Sequence, residues 1–145
     1  MKVLEIELSY YEMPGHLIRR LSQQSNQVFQ DEMKRIGADV TSVQFASMQA
    51  IELHGEMEQS QIAQSIHYDK ATIGGVIDRL EKRGWVERKA NPKDRRAKLV
   101  TLTREGRKAL EEITPVVNAL QDQVVANLND DERAMFIQLA RKVVS

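Results

Sequence analysis

One stretch constrains this chain more than any other: residues 59–103, QSQIAQSIHYDKATIGGVIDRLEKRGWVERKANPKDRRAKLVTLT. Its first part predicts a short helix, Gln59 to Ile66, with Ile62, Ala63 and Ile66 on one face. His67, Tyr68 and Asp69 form the turn that follows. A second helix, about Lys70 to Lys82, turns Ile73, Val76, Ile77 and Leu80 inward and Lys70, Thr72, Gly75 and Arg79 outward. Gly84 stops it, as glycine does just past a helix end. Two helices joined steeply by a three- or four-residue turn make a helix-turn-helix, whose second helix lies in a DNA major groove.

The next residues sharpen that reading. Trp85 to Arg88 and Lys98 to Leu102 are strand-like runs, and the intervening ANPKDRRA opens on the turn-starting pair Asn91-Pro92 and carries four charges in a row. A hairpin with a basic tip beside a recognition helix is a wing, whose arginine can enter a narrow minor groove.

Zero net charge over 145 residues first argues against a nucleic-acid binder. The distribution argues the opposite. Residues 66–108 hold 13 Lys and Arg against 6 Asp and Glu, a local +7 that the remaining segments cancel with −7. Basic charge gathered on the helix and loop that should touch DNA is the expected electrostatic footprint. Absence of cysteine rules out disulfides, thiolate metal sites and a thiol redox switch. Apolar runs of four residues or fewer give no membrane span, and the acidic MKVLEIELSYYE is unlike a signal peptide, so a cytoplasmic, nucleoid-associated location is expected. His16, His54 and His67 are isolated, with no HExxH, no phosphate-binding glycine loop and no catalytic triad; neither an enzyme nor a cofactor or metal site is expected.

The run DKATIGGVIDRLEKRGWVERKANPKDRRAKLVTLTREGR resembles the winged helix-turn-helix of the MarR family of bacterial transcription regulators. The joint spacing of DRLEKRGWVER, of DRR at 94–96 and of LTREG at 102–106 carries the resemblance, which extends from about Pro14 to the C-terminus. It implies a mainly α fold with a small β-hairpin wing: helices 1 and 2 over 14–55, the winged lobe over 56–103, and C-terminal helices over 104–145 that dimerise with helix 1. The implied function is that of a homodimeric regulator, usually a repressor, on a pseudo-palindromic operator. A constitutive winged-helix architectural or adaptor protein is the alternative.

Around that unit the residues predict four further helices. The first, about Gly15 to Ile36, carries an apolar stripe of Leu17, Ile18, Leu21, Val28, Phe29 and Ile36. Thr41 or Ser42 caps the next, which ends before Gly55. Thr103 caps a long helix to about Leu128 that Pro115 should kink, and Asn129 with Glu132 opens the last one. Residues 1–13, with Leu4, Ile6 and Leu8 alternating against acids, are treated as an arm packed on a second protomer. Val116, Val117, Leu120, Val124, Val125 and Leu128, with Met135, Phe136, Leu139 and Val143, form an apolar surface expected at the homodimer interface.

For recognition, Lys70, Thr72 and Arg79 are candidate base or phosphate contacts. Gly74 and Gly75 either allow close packing on the preceding helix or let the backbone approach DNA, the second reading being kept for Gly75. The resemblance implies that Asp94 shapes the wing loop, that Arg95 or Arg96 enters the minor groove, and that Asp69 pairs with Arg96. Trp85 reads as packing at the wing's base. Family dimers release DNA when a small ligand, often an aromatic acid, binds between helices 1, 2 and 5. In PGHLIRRLSQQS the resemblance therefore implies Arg19 as the carboxylate's partner, with His16, Ser25 and Met48 as further effector contacts. Arg19 as an ordinary surface charge, Ser25 bonded back to its own helix, and the methionines as core filler stand beside that reading.

Overall fold

The computed structural model describes Ser9 and residues 11–145. Leu4, Ile6 and Leu8, assigned above to an arm, lie outside the described residues. In chain order the elements are α1 (Pro14–Arg35), α2 (Ser42–His54), β1 (Met57–Glu58), α3 (Gln59–Ser65), α4 (Lys70–Lys82), β2 (Val86–Asn91), β3 (Asp94–Leu102), α5 (Arg104–Val124) and α6 (Asp130–Val144). The chain divides into two compact units, Met33–Val116 and a second that joins the described residues up to Glu32 with Val117–Ser145.

The unit over Met33–Val116 is built around α4. Ile73, Val76, Ile77 and Leu80 are essentially inaccessible, and Ile62 and Ala63 of α3, Phe45, Met48 and Ile51 of α2 and Val86 and Val100 of the sheet are buried with them. The two helix starts are fixed locally. Thr41 and Gln44 form a reciprocal capping box at α2, and the Asp69 side chain accepts the Thr72 amide at α4. At the end of α4, Gly84 sits at φ 79°, its amide donating to the Glu81 carbonyl while the Trp85 amide donates to that of Leu80. This is a Schellman ending, and it sends the chain directly into the wing.

The sheet has one strand more than the hairpin expected. β1 pairs antiparallel with β3 (Met57 with Val100, Glu58 with Leu99), giving the order β1-β3-β2. A two-residue strand has no periodicity to read. The wing strands are also longer than the apolar residues alone imply: the ladder continues to Asn91 opposite Asp94, with an irregularity at Ala90/Asn91, and only Pro92 and Lys93 remain at the tip.

Thr103 caps α5 as expected, its hydroxyl accepting the Gly106 amide at 3.0 Å while donating to the Gly84 carbonyl at 2.6 Å. α5 continues through Pro115 and ends at Val124, short of the expected Leu128. A Cβ on Gly106 would overlap the Trp85 carbonyl oxygen, which explains the glycine of the LTREG run.

In the other unit Phe29, Val117 and Leu120 are buried, Gln24 donates to the Val124 carbonyl at 2.8 Å, and Arg133 pairs with Asp122 at 2.7 Å. The Asn129–Glu132 capping box opens α6 as its spacing predicts. The apolar surface expected from α5 is therefore partly interior. What stays exposed is Leu17, Ile18 and Leu21 on α1 and Met135, Ile137, Leu139, Val143 and Val144 on α6, a helix with no buried residue.

Candidate nucleic-acid interface

The outward face of α4 is the one the hydrophobic periodicity leaves free. Lys70, the first residue of the helix, Thr72 and Arg79 are exposed and Gly75 is half-buried, whereas Ile73, Val76, Ile77 and Leu80 are buried. Lys70 and Arg79 have no ion-pair partner among the described residues, so their charge is turned to solvent. The Thr72 hydroxyl donates to Asp69 Oδ2 at 2.6 Å, which leaves its lone pairs, rather than its proton, for another donor.

Asp69 corrects one expectation. Its carboxylate takes both the amide and the hydroxyl of Thr72, at 2.8 and 2.6 Å, and among the described residues no ion pair joins it to Arg96. The Thr72 hydroxyl, then the Thr72 amide, hold this exposed carboxyl below its usual range. Asp69 thus orders the start of α4 rather than the wing. The cause is proximity: a partner three residues away needs no long loop closed.

Asp94 does shape the wing, accepting the Arg96 amide at 3.0 Å, and Asn91 does the same for the Lys93 amide at 3.0 Å. These two turns hold the tip so that the Arg95 and Arg96 side chains, both exposed, leave it without ion pairs among the described residues. Between wing and helix starts runs a cleft of about 480 Å³ lined by Lys70, Arg88, Arg96 and Lys98 together with Glu58 and Asp94. With Arg88 paired to acids of α4, Lys70, Arg96 and Lys98 face Glu58 and Asp94 there, a mixed lining with a small positive excess.

The two glycines separate. A Cβ at Gly74 would come within 3.1 Å of the Gln59 side-chain amide nitrogen, so Gly74 allows close packing on α3; a Cβ at Gly75 would meet nothing within 4 Å. Trp85 is half-buried with the Arg83 guanidinium 3.7 Å above its ring, which makes it a platform at the wing's base.

The expected effector residues are divided between the two units. On α1 the half-buried His16 ring lies 3.5 Å from the Arg19 guanidinium and meets the Tyr11 ring edge-on, while Ser25 is exposed. Met48 belongs to the core of the other unit at 1% exposure, the place the core-filler reading of the methionines gives it. Phe45 and Ile51 flank it at helical spacing, and that register was the signal to read. The face of α2 that does border a cavity carries Ala46, Gln49, Ala50 and Leu53, with Glu52 and His54 at its edge; with Ser65, Ile66, Leu110 and Thr114 they line about 560 Å³ of space.

Among the described residues, no helix is long and apolar enough to cross a membrane. A model of the MarR family matches residues 40–98. The transcriptional repressor NicR of Pseudomonas putida is 32% identical over 92% of this chain and 83% of its own length. BpsR of Bordetella bronchiseptica, a protein whose DNA binding is regulated by 6-hydroxynicotinic acid, superposes with a TM-score of 0.87 at 32% identity, covering 94% of this chain and 96% of its own. A mutant MarR of Escherichia coli complexed with operator DNA superposes with a TM-score of 0.84 at 28% identity, over 94% of this chain and 97% of its own.

Proposed function

This chain belongs to the MarR family, and from that premise we propose that it is a homodimeric repressor that leaves its operator when a small aromatic acid binds. The observation that carries the DNA-binding part is that Lys70, Arg79, Arg95 and Arg96 have no ion-pair partner among the described residues, on two elements ordered by their own cap and turns. A recognition helix reads base edges while a wing arginine takes the minor groove, and lysine and arginine release counterions from the phosphates. Thr72 and Gly75 are the closest-approach positions of α4 in this reading.

Dimerisation uses the apolar faces of α1 and α6, where Leu17, Ile18, Leu21, Met135, Leu139 and Val143 are exposed. A two-fold dimer presents two recognition helices one DNA turn apart, about 34–36 Å, and so reads a pseudo-palindrome.

The cavity beside Gln49 and Leu53 is the proposed seat of the aromatic ring. Its walls suit a ring, but it holds no lysine or arginine. His54 and Glu52 are the ionisable groups of its lining; Arg19, whose guanidinium lies 3.5 Å from the His16 ring, is proposed separately as a carboxylate partner on α1. The ligand acts only through its preference for the arrangement that does not fit the operator; equal affinity for both arrangements would shift nothing.

The test is anisotropy of a labelled duplex from the region upstream of the chain's own gene, titrated with the purified protein across salt concentrations and then with 6-hydroxynicotinic acid and a panel of benzoates. Salt-dependent, sequence-specific binding relieved by one of these acids is the expected result. Specific binding that no acid relieves removes the effector, and no specific binding removes the regulator.

A further inference from the structure

We infer that Arg88 is a positioning residue that fastens the wing to both helices of the helix-turn-helix and thereby sets where Arg95 and Arg96 stand. The inference rests on the DNA-binding reading above for its consequence, though not for its geometry.

Arg88 lies on β2, in the half of the hairpin that leaves α4, and its side chain is only 16% exposed. Its Nη1 is 2.7 Å from Asp78 Oδ1 and 3.1 Å from Glu81 Oε1, both on α4. Nη2 donates to Gln59 Oε1 of α3 at 3.1 Å, and the Arg88 amide donates to Glu81 Oε2 at 3.3 Å. One planar guanidinium therefore ties a strand to two helices. A lysine ammonium, a single point on a flexible stem, lacks the fork to span amide and carboxylates together. Gly74 belongs to the same device, since a Cβ there would press on the Gln59 amide that Arg88 holds. A second tie follows three residues on, where Asn91 Nδ2 donates to Glu58 Oε1 at 2.9 Å.

The hairpin is held by these two ties, by the Lys89–Glu56 pair and by the β1-β3-β2 ladder. Asp78 and Glu81 keep 69% and 44% of their side-chain surface exposed, so the pairs are solvated and add little to global stability. What they restrict is the freedom of the hairpin relative to α4, and a hairpin already restricted loses less entropy when it docks.

The test uses the full-length protein and Arg88→Met, which keeps the apolar stem. Amide exchange of the free protein is expected to quicken about tenfold over 93–97 while Val76–Leu80 keep their protection. Equal acceleration of both sets, or of neither, overturns the inference. In operator titrations Arg95→Ala should weaken binding about tenfold in the native background and far less in Arg88→Met, because the tip it removes is no longer placed. Additive losses overturn the link from clamp to recognition. A native protein that binds no duplex sinks the DNA-binding reading, with the exchange result still deciding the clamp.

Discussion

Gly75→Ala separates what the fold needs at the centre of α4 from what a ligand of α4 needs. Glycine inside a helix costs about 1 kcal/mol relative to alanine. A methyl added at Gly75 meets nothing within 4 Å, so no clash offsets that gain in the free protein. Its melting temperature should rise by about 2–4 °C, the shift that 1 kcal/mol produces in a chain of this size. The same methyl projects from the face carrying Thr72 and Arg79, where it keeps the backbone from approaching a duplex. Operator Kd should rise about tenfold, equivalent to ~1.4 kcal/mol. Gly74→Ala is the internal control: its methyl lies 3.1 Å from the Gln59 amide nitrogen, which must yield by a few tenths of an ångström, so its gain in stability should be smaller. Scanning calorimetry and anisotropy titrations on the two variants decide the matter. A stabilised Gly75→Ala protein with undiminished operator affinity refutes a role for Gly75 in close approach.

Three further outcomes are expected. Arg95→Ala should lower operator affinity and reduce the slope of log K against log salt by about 1, as the loss of a single phosphate-neutralising cation does; an unchanged slope removes this arginine from the interface. Asp69→Asn keeps a capping side chain but removes the charge. Because the folded-state carboxyl is held below its usual range, the aspartate's advantage is fully present above that range and is lost as pH falls through the depressed value. Stability of the native protein and of Asp69→Asn should therefore converge in acid and separate near neutrality, and parallel pH profiles in chemical denaturation contradict the assignment. Gly106→Ala should destabilise the Met33–Val116 unit by more than about 1 kcal/mol, since backbone must move to admit the methyl beside the Trp85 carbonyl; an unchanged denaturation midpoint contradicts that close approach.

The parts of the fold legible in the sequence are those governed by residues within one turn of each other. The bounds of α4, its stop at Gly84 and the Asn129–Glu132 box all follow from local periodicity and capping. Features that depend on a partner far along the chain did not declare themselves. β1 is defined only by its ladder to Val100 and Leu99. Arg88 left a trace: two acids at Asp78 and Glu81, one turn apart on α4, followed by an arginine on the next strand, within the DRLEKRGWVER spacing that carried the family resemblance. In Asp69 the trace misled, because a carboxylate beside a helix start has a nearer donor than any wing arginine.

The neutral total charge conceals a division of labour among the cations of residues 66–108. Arg83, Arg88, Lys89 and Arg107 are occupied, by the Asp39 carbonyl and the Trp85 ring, by Asp78 and Glu81, by Glu56, and by Glu52. Each fastens one element of the winged unit to another. The acids Asp69 and Asp94 are likewise occupied, on the Thr72 and Arg96 amides. The cations left unpaired among the described residues include Lys70 and Arg79 on α4 and Arg95 and Arg96 on the wing. A uniform field of thirteen cations would attract any duplex in any orientation. Withdrawing some of them into clamps lowers that nonspecific attraction and stiffens the frame that aims the rest, so specificity and rigidity arise from the same residues.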